Sequence, residues 1–198
     1  MKTKNDFMYK IEDNGEATIY KYMGSCEELI IPGSIDGKPV TTINGSLIGN
    51  AGLCNSDTLK RIIVPEGVKK ITMKSFSYCN CLQSVKIPAS VTEIDSSAFK
   101  YSRVLSRIEV DENNLDFSDI DGVLFNKDRT RLIHFPHGKS YRTGGDIPEG
   151  FIDTLSYIVP DDVISIGNRA FQDCSLESIE LPDSLTELGA ENYGLVKP

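Results

Sequence analysis

One unit of 23 residues occurs twice in succession, as LKRIIVPEGVKKITMKSFSYCNC over 59–81 and LQSVKIPASVTEIDSSAFKYSRV over 82–104. Leu59, Ile62, Val64, Pro65, Val68, Ile71 and Phe76 return as Leu82, Val85, Ile87, Pro88, Val91, Ile94 and Phe99. A fixed period in the twenties is the mark of a solenoid, because one such unit cannot bury its own apolar face and must stack on a neighbour. Within each unit I-x-V alternates as a half-buried strand does. Pro65 and Pro88 end that strand, since proline lacks the N–H a ladder needs. A second extended run follows at Val68–Ile71 and Val91–Ile94. Asp95-Ser96-Ser97-Ala98-Phe99 then offers a capping residue and a short helical turn that buries Phe99. The expected fold class is α/β: a solenoid of parallel, β-rich coils with short helical turns, one repeat domain over 1–198.

The other units are disturbed versions of this one. Residues 7–22 form two β-rich runs around Asp13-Asn14-Gly15, which predicts a capping hairpin with a type I′ turn at Asn14-Gly15. Repeats are expected over 26–110. The first is split: Leu29, Ile31 and Pro32 match its first half, Val40, Ile43 and Ile48 its second, with the turn-rich Ser34-Ile35-Asp36-Gly37-Lys38-Pro39 between. A loop over 49–58 precedes the two clean copies. The next unit begins at Leu105, Ile108 and Val110, but Asp111 takes the proline position. An insertion at 111–145 follows. Within it Val123-Leu124-Phe125 and Arg131-Leu132-Ile133-His134-Phe135 flank Asn126–Thr130, which predicts a hairpin with a five-residue loop projecting from the solenoid. The period resumes over 146–189, with Ile147, Pro148 and Phe151, then Val159, Pro160, Val163, Ile166 and Phe171. The last unit, from Leu176 to Leu188, arrives one residue early and lacks its phenylalanine. Tyr193 and Leu195 in the tail at 190–198 are the expected covers of that end.

Composition narrows the function. Apolar residues make up 39% of 198 and charged residues 25%, which fits a folded chain. A net charge of −8 speaks against a nucleic-acid backbone or an anionic membrane as partner. No run approaches the ~18 apolar residues of a spanning helix, so membrane insertion is not expected. MKTKNDFMYKIEDNG has no apolar core and does not read as a signal peptide.

Catalytic and metal chemistry find no support. His134 and His137 flank Pro136 and read as one strand-surface and one turn residue. The acidic stretch Asp111-Glu112 with Asp116, Asp119 and Asp121 could offer oxygen ligands to calcium, but lacks the spacing of a calcium-binding loop and reads as solvated turns. Of the five cysteines, Cys79 and Cys81 are spaced C-x-C rather than as a redox or zinc pair. Cys26, Cys54, Cys79, Cys81 and Cys174 are expected as small, mostly buried thiols. No enzyme activity, metal or cofactor is expected.

The remaining candidate is the outer face of the first strand of each unit. Its positions form columns: Lys60, Gln83, Ser106 and Glu177; Arg61, Ser84, Arg107 and Ser178; Ile63, Lys86, Glu109 and Glu180. The expected protein-binding face is Lys60, Arg61, Gln83, Ser84, Lys86, Arg107, Glu109, Glu177 and Glu180, with the insertion as a second candidate. The chain lacks tryptophan, so this face lacks one of the strongest hot-spot side chains.

IPASVTEIDSSAF, VPDDVISIGNRAFQDC, the IDGKPV opening and DGVLFNKD together resemble the BspA-like leucine-rich repeat proteins, over about 17–189. Proline stands where other leucine-rich repeats carry an asparagine ladder. The resemblance implies a curved right-handed solenoid, horseshoe-like, with a parallel sheet. It also implies bacterial surface or secreted proteins, some of them adhesins that bind host matrix proteins or other cells. A cell-surface or secreted location, with a host matrix or other cell-surface protein as partner, is therefore expected. An intracellular protein-interaction scaffold is the alternative, favoured by the free thiols and the absent signal.

Overall fold

The computed structural model describes residues 2–45, 58–140, 156–172 and 174–192. Strands β1 (Lys2–Lys4), β2 (Phe7–Ile11) and β3 (Ala17–Tyr22) form an antiparallel meander. Then come β4 (Glu28–Ile30), β5 (Ser34–Ile35), β6 (Lys38–Ile43), β7 (Arg61–Ile63), β8 (Lys70–Ile71), β9 (Ser84–Ile87), β10 (Glu93–Ile94) and β11 (Arg107–Val110). A second meander, β12 (Phe117–Ile120), β13 (Val123–Asn126) and β14 (Arg131–His134), precedes a 3-10 turn at His137–Ser140. The chain continues as β15 (Ser156–Ile158), β16 (Ser165–Ile166), β17 (Ser178–Glu180) and β18 (Glu187–Leu188).

Each coil contributes a strand to each of two parallel ladders. The first ladder runs β4-β7-β9-β11, with a separate pair β15-β17. The second runs β3-β6-β8-β10, then starts again as β14-β16-β18. The 23-residue period is visible as register: Ile62 faces Val85, which faces Ile108, and Ile71 faces Ile94. Identical positions therefore stack into buried columns, among them Leu59, Leu82 and Leu105, or Val68 and Val91. Burying each such side chain stabilises by roughly 1.5–3 kcal/mol. Phe76 and Phe99 stack with ring centroids 5.6 Å apart.

The core divides into two clusters, one spanning Phe7 to Leu124 and one spanning Val123 to Phe171. They meet on β13. Val123 and Leu124 point to opposite faces of that strand, as alternation requires, and each joins a different cluster.

Several local expectations are corrected. The turn that carries each Phe of the column is not helical: among the described residues the only helical element is the 3-10 turn at His137–Ser140. Asp95 caps its turn as expected, its Oδ1 accepting the Ser97 N–H at 2.8 Å, but Tyr101 then enters the left-handed region at φ 61° and breaks any helix. The solenoid is thus mostly β. The hairpin at Asn14-Gly15 exists, but Gly15 alone has positive φ, 80°. Glu12 and Glu16 close it over the three residues Asp13–Gly15, a type I turn followed by a left-handed glycine. Type I′ turns stand instead at Asn5-Asp6 (φ 48°, 64°), Asp36-Gly37 (51°, 69°) and Asp121-Gly122 (49°, 79°), each joining a two-residue hairpin.

The hairpin of the insertion also forms, with Phe125 opposite Leu132 and the Asn126 side chain accepting the Arg131 N–H at 2.8 Å. It does not project. β14 pairs in parallel with β16, so it is a rung of the second ladder. The last coil is the least buried: Leu181 and Leu188 are 41% and 48% exposed. Ile48, Cys54, Ile147, Pro148, Phe151, Tyr193 and Leu195 lie outside the described residues.

Candidate functional site

Strand pairing sets the columns of the first ladder. Glu28 faces Arg61, Arg61 faces Ser84 and Ser84 faces Arg107; Ile30 faces Ile63, Ile63 faces Lys86 and Lys86 faces Glu109. Their side chains turn outward because Leu29, Ile62, Val85 and Ile108, between them, are buried. Lys60 and Gln83 precede β7 and β9 and are exposed. Seven of the nine expected residues, Lys60, Arg61, Gln83, Ser84, Lys86, Arg107 and Glu109, therefore share one surface. Glu177 and Glu180 do not join it: they belong to the pair β15-β17, which no described strand connects to β11.

Glu27 and Glu28 form an earlier, acidic rung. Lys60 pairs with Glu27 at 3.2 Å, and Arg61 lies between Glu28 at 3.7 Å and Glu109 at 3.6 Å. Exposed pairs of this kind contribute little to stability, but they occupy two of the four expected cations. Lys86 and Arg107 carry no ion pair among the described residues, and Ile30, on the edge strand β4, is 65% exposed. Gly122 packs against Arg107, where a Cβ would come within 2.9 Å of its Cα and Cγ. Glu27, Glu28 and Ile30 were missed by the sequence reading. Extending the columns one unit back from Leu29 is the signal that finds them.

Other candidates resolve into structural roles. The Asp111 carboxylate accepts the Asn113 N–H at 3.0 Å, a hydrogen bond that holds its pKa below the usual carboxylate range. Asp119 accepts the N–H groups of Val110 and Gly122 at 2.8 and 3.2 Å. These carboxylates serve turns, and no group of three metal-ligating side chains converges among the described residues.

His134 and His137 are both buried, at 4% and 6% exposure, which corrects the expected strand-surface position of His134, while His137 stands in a turn as expected. A register shift in β13-β14 sets His134 opposite Leu124 and Leu132 opposite Phe125, and His134 packs on Phe99 with ring centroids 5.2 Å apart. Cys79 is buried and disulfide-bonded, against the expectation of a thiol. Cys26, Cys81 and Cys174 carry thiols and are half-buried. Beside the 3-10 turn, Lys139, Asp121 and Tyr157 line a small cavity of about 170 Å³. Burial lowers the Lys139 pKa and raises that of Tyr157.

Comparison with known proteins agrees with this geometry. The model of the BspA type leucine rich repeat region matches in six copies over residues 42–141 and 152–193. No curated protein matches the sequence. Among solved structures, the pneumococcal vaccine antigen PcpA aligns at 18% identity with a TM-score of 0.53, covering 98% of this chain and 68% of the other. A leucine-rich repeat protein from Eubacterium ventriosum aligns at 17% identity and TM-score 0.53, covering 97% of this chain and 62% of that one. At such identity these two show a shared fold and nothing finer. The repeat that builds both ladders covers well over half of the sequence, and the chain belongs to the BspA-type leucine-rich repeat proteins.

Proposed function

We propose that the chain is a non-catalytic protein-binding scaffold at a bacterial cell surface or in the secreted fraction, and that the first-ladder face is its contact surface. The observation that carries this is the register of that face. Four strands hold two outward columns, and on two of these strands Lys86 and Arg107 carry no ion pair among the described residues, while Ile30 is exposed on the edge strand β4. Such an arrangement suits a polar partner surface, charged groups setting orientation and encounter rate. Membership of a repeat family whose coils present extended surfaces supports it. So does the disulfide at Cys79, which fits an oxidising compartment.

A panel of immobilised extracellular-matrix proteins tests the face. For any member that binds, Lys86→Glu with Arg107→Glu should weaken binding at least tenfold, on the order of 1.4 kcal/mol or more. Unchanged affinity would exclude this surface. The three thiols at Cys26, Cys81 and Cys174 favour a second reading, an intracellular interaction scaffold. Fractionation of native cells separates the two: protease-accessible protein on intact cells supports display, and recovery only from the cytosol supports the scaffold.

A further inference from the structure

The second ladder is interrupted in mid-solenoid, and the interruption has a specific cause. In three coils two successive N–H groups at the start of the second strand donate to one carbonyl of the preceding strand. Thr92 and Glu93 donate to Lys69 at 2.9 and 3.1 Å, and Ile164 and Ser165 donate to Thr130 at 2.8 and 3.1 Å. One 23-residue period beyond Thr92 and Glu93 stand Leu115 and Asp116. Here the pattern fails. The N–H groups of Asp116 and Phe117 donate to the Asn114 side-chain oxygen at 2.9 and 2.8 Å. Asn114 is wholly buried, and its amide is anchored to the carbonyls of Pro88 and Val91, both at 2.9 Å. β12 therefore turns away into its meander, and no strand pairs with the outer edge of β10 among the described residues.

That open edge does not face bulk solvent across a flat end. It faces a cleft of about 450 Å³ whose other wall is the meander and the following coil: Phe117, Asn126, Arg131, Ile133 and Asn168. A volume of this size lies in the range of ligand sites. Ile94, Phe117 and Ile133 make an apolar floor, and the exposed Arg131 side chain at the rim carries no ion pair among the described residues. Exposed strand edges are ordinarily covered, because unpaired N–H and C=O groups template the addition of another strand.

We propose that this cleft binds an extended peptide segment of another protein, which adds to β10 as the missing rung of the second ladder. The segment places an apolar side chain on the Ile94–Phe117–Ile133 floor and a carboxylate against Arg131. Main-chain pairing to the edge supplies affinity, and the alternate side chains supply selectivity. A carboxylate fits the planar guanidinium with two parallel hydrogen bonds. The site is separate from the first-ladder face and does not depend on that reading.

The test uses the full chain, ¹⁵N-labelled, and blocked pentapeptides of the form threonine–X–glutamate–X–threonine, with X valine, isoleucine, leucine or phenylalanine. At least one peptide should shift and protect the Ile94 amide at concentrations up to about 1 mM, the weak end of specific binding. N-methylation of its backbone should weaken binding at least tenfold. Replacing its glutamate by glutamine should also weaken it, and Arg131→Ala should make the two peptides equal. Lys86→Glu with Arg107→Glu should leave peptide affinity unchanged, so that failure here and failure of the first-ladder face are read separately. No shift at Ile94 for any peptide, equal binding of the N-methylated form, or loss of binding on reversal of Lys86 and Arg107 would overturn the assignment.

Discussion

His134 buries both ring nitrogens without a hydrogen-bond partner, a costly state for a polar side chain. Burial, and secondarily the neighbouring His137, lower its pKa from 6.5 to about 3. The ring therefore stays neutral in the folded chain while the unfolded chain binds a proton below about pH 6.5. The sign follows from linkage: this contribution to stability is complete above pH 6.5 and is lost as pH falls toward 3, by about 1.4 kcal/mol per unit. His134→Phe, which keeps a ring against Phe99, should flatten the thermal-midpoint profile between pH 6.5 and 4; an unchanged acid slope would assign the loss to other groups. Asn192 acts at the far end. Phe76 and Phe135 donate their N–H groups to the main-chain carbonyls of Ala98 and Ala170. Phe171 instead donates to the Asn192 side-chain oxygen at 3.0 Å, while the Asn192 amide donates to the carbonyls of Gly167 and Gly189 at 2.9 and 2.8 Å. Asn192→Ala should cost about 1–3 kcal/mol, read from the urea midpoint at constant slope. Hydrophobic periodicity points to apolar covers in the tail and not to this polar one, because a side-chain amide standing in for a carbonyl leaves no trace in it.

Asn114 and the meander it launches decide how the elements connect. All four of its side-chain hydrogen bonds are buried or partly buried, so Asn114→Ala leaves donors and acceptors unsatisfied and should destabilise by about 2–4 kcal/mol in urea titration; a loss below about 0.5 kcal/mol would remove Asn114 as the anchor. The coil itself was legible, since Ile62, Val85 and Ile108 announce one face of one ladder by spacing alone. The strands Val123–Phe125 and Arg131–Phe135 were legible from their residue types. β12 was not: Phe117-Ser118-Asp119-Ile120 carries too much polarity to stand out as a strand, and Asp119 spends its carboxylate on two backbone N–H groups, which looks from the sequence like an acidic loop. His134 was misplaced for a related reason. Leu132, Ile133 and Phe135 surround it with apolar residues on both strand faces, and alternation cannot name an outer face where both are covered.

On the scale of the whole molecule the chain is one arrangement used twice. β1-β2-β3 opens a parallel ladder continued by β6-β8-β10, and β12-β13-β14 opens another continued by β16-β18. The first hairpin of each meander turns on a two-residue type I′ loop, Asn5-Asp6 and Asp121-Gly122. A meander is a natural start for a stack, since it covers the first apolar face and leaves one edge ready for the next coil. The insertion is therefore a second cap built into the solenoid, and the open edge of β10 is the place where the first stack stops. The amino-terminal hairpin was legible from its two β-rich runs around Asp13-Asn14-Gly15, whereas the second meander's place in the stack was hidden because nothing in the period marks where one stack yields to another. Backbone nuclear Overhauser contacts in the labelled full chain test this most directly. The two-stack account predicts cross-strand contacts between Ile71 and Ile94 and between Leu132 and Ile166, with none characteristic of ladder pairing between Ile94 and Phe117. A continuous set of such contacts from Ile94 to Phe117 would contradict it.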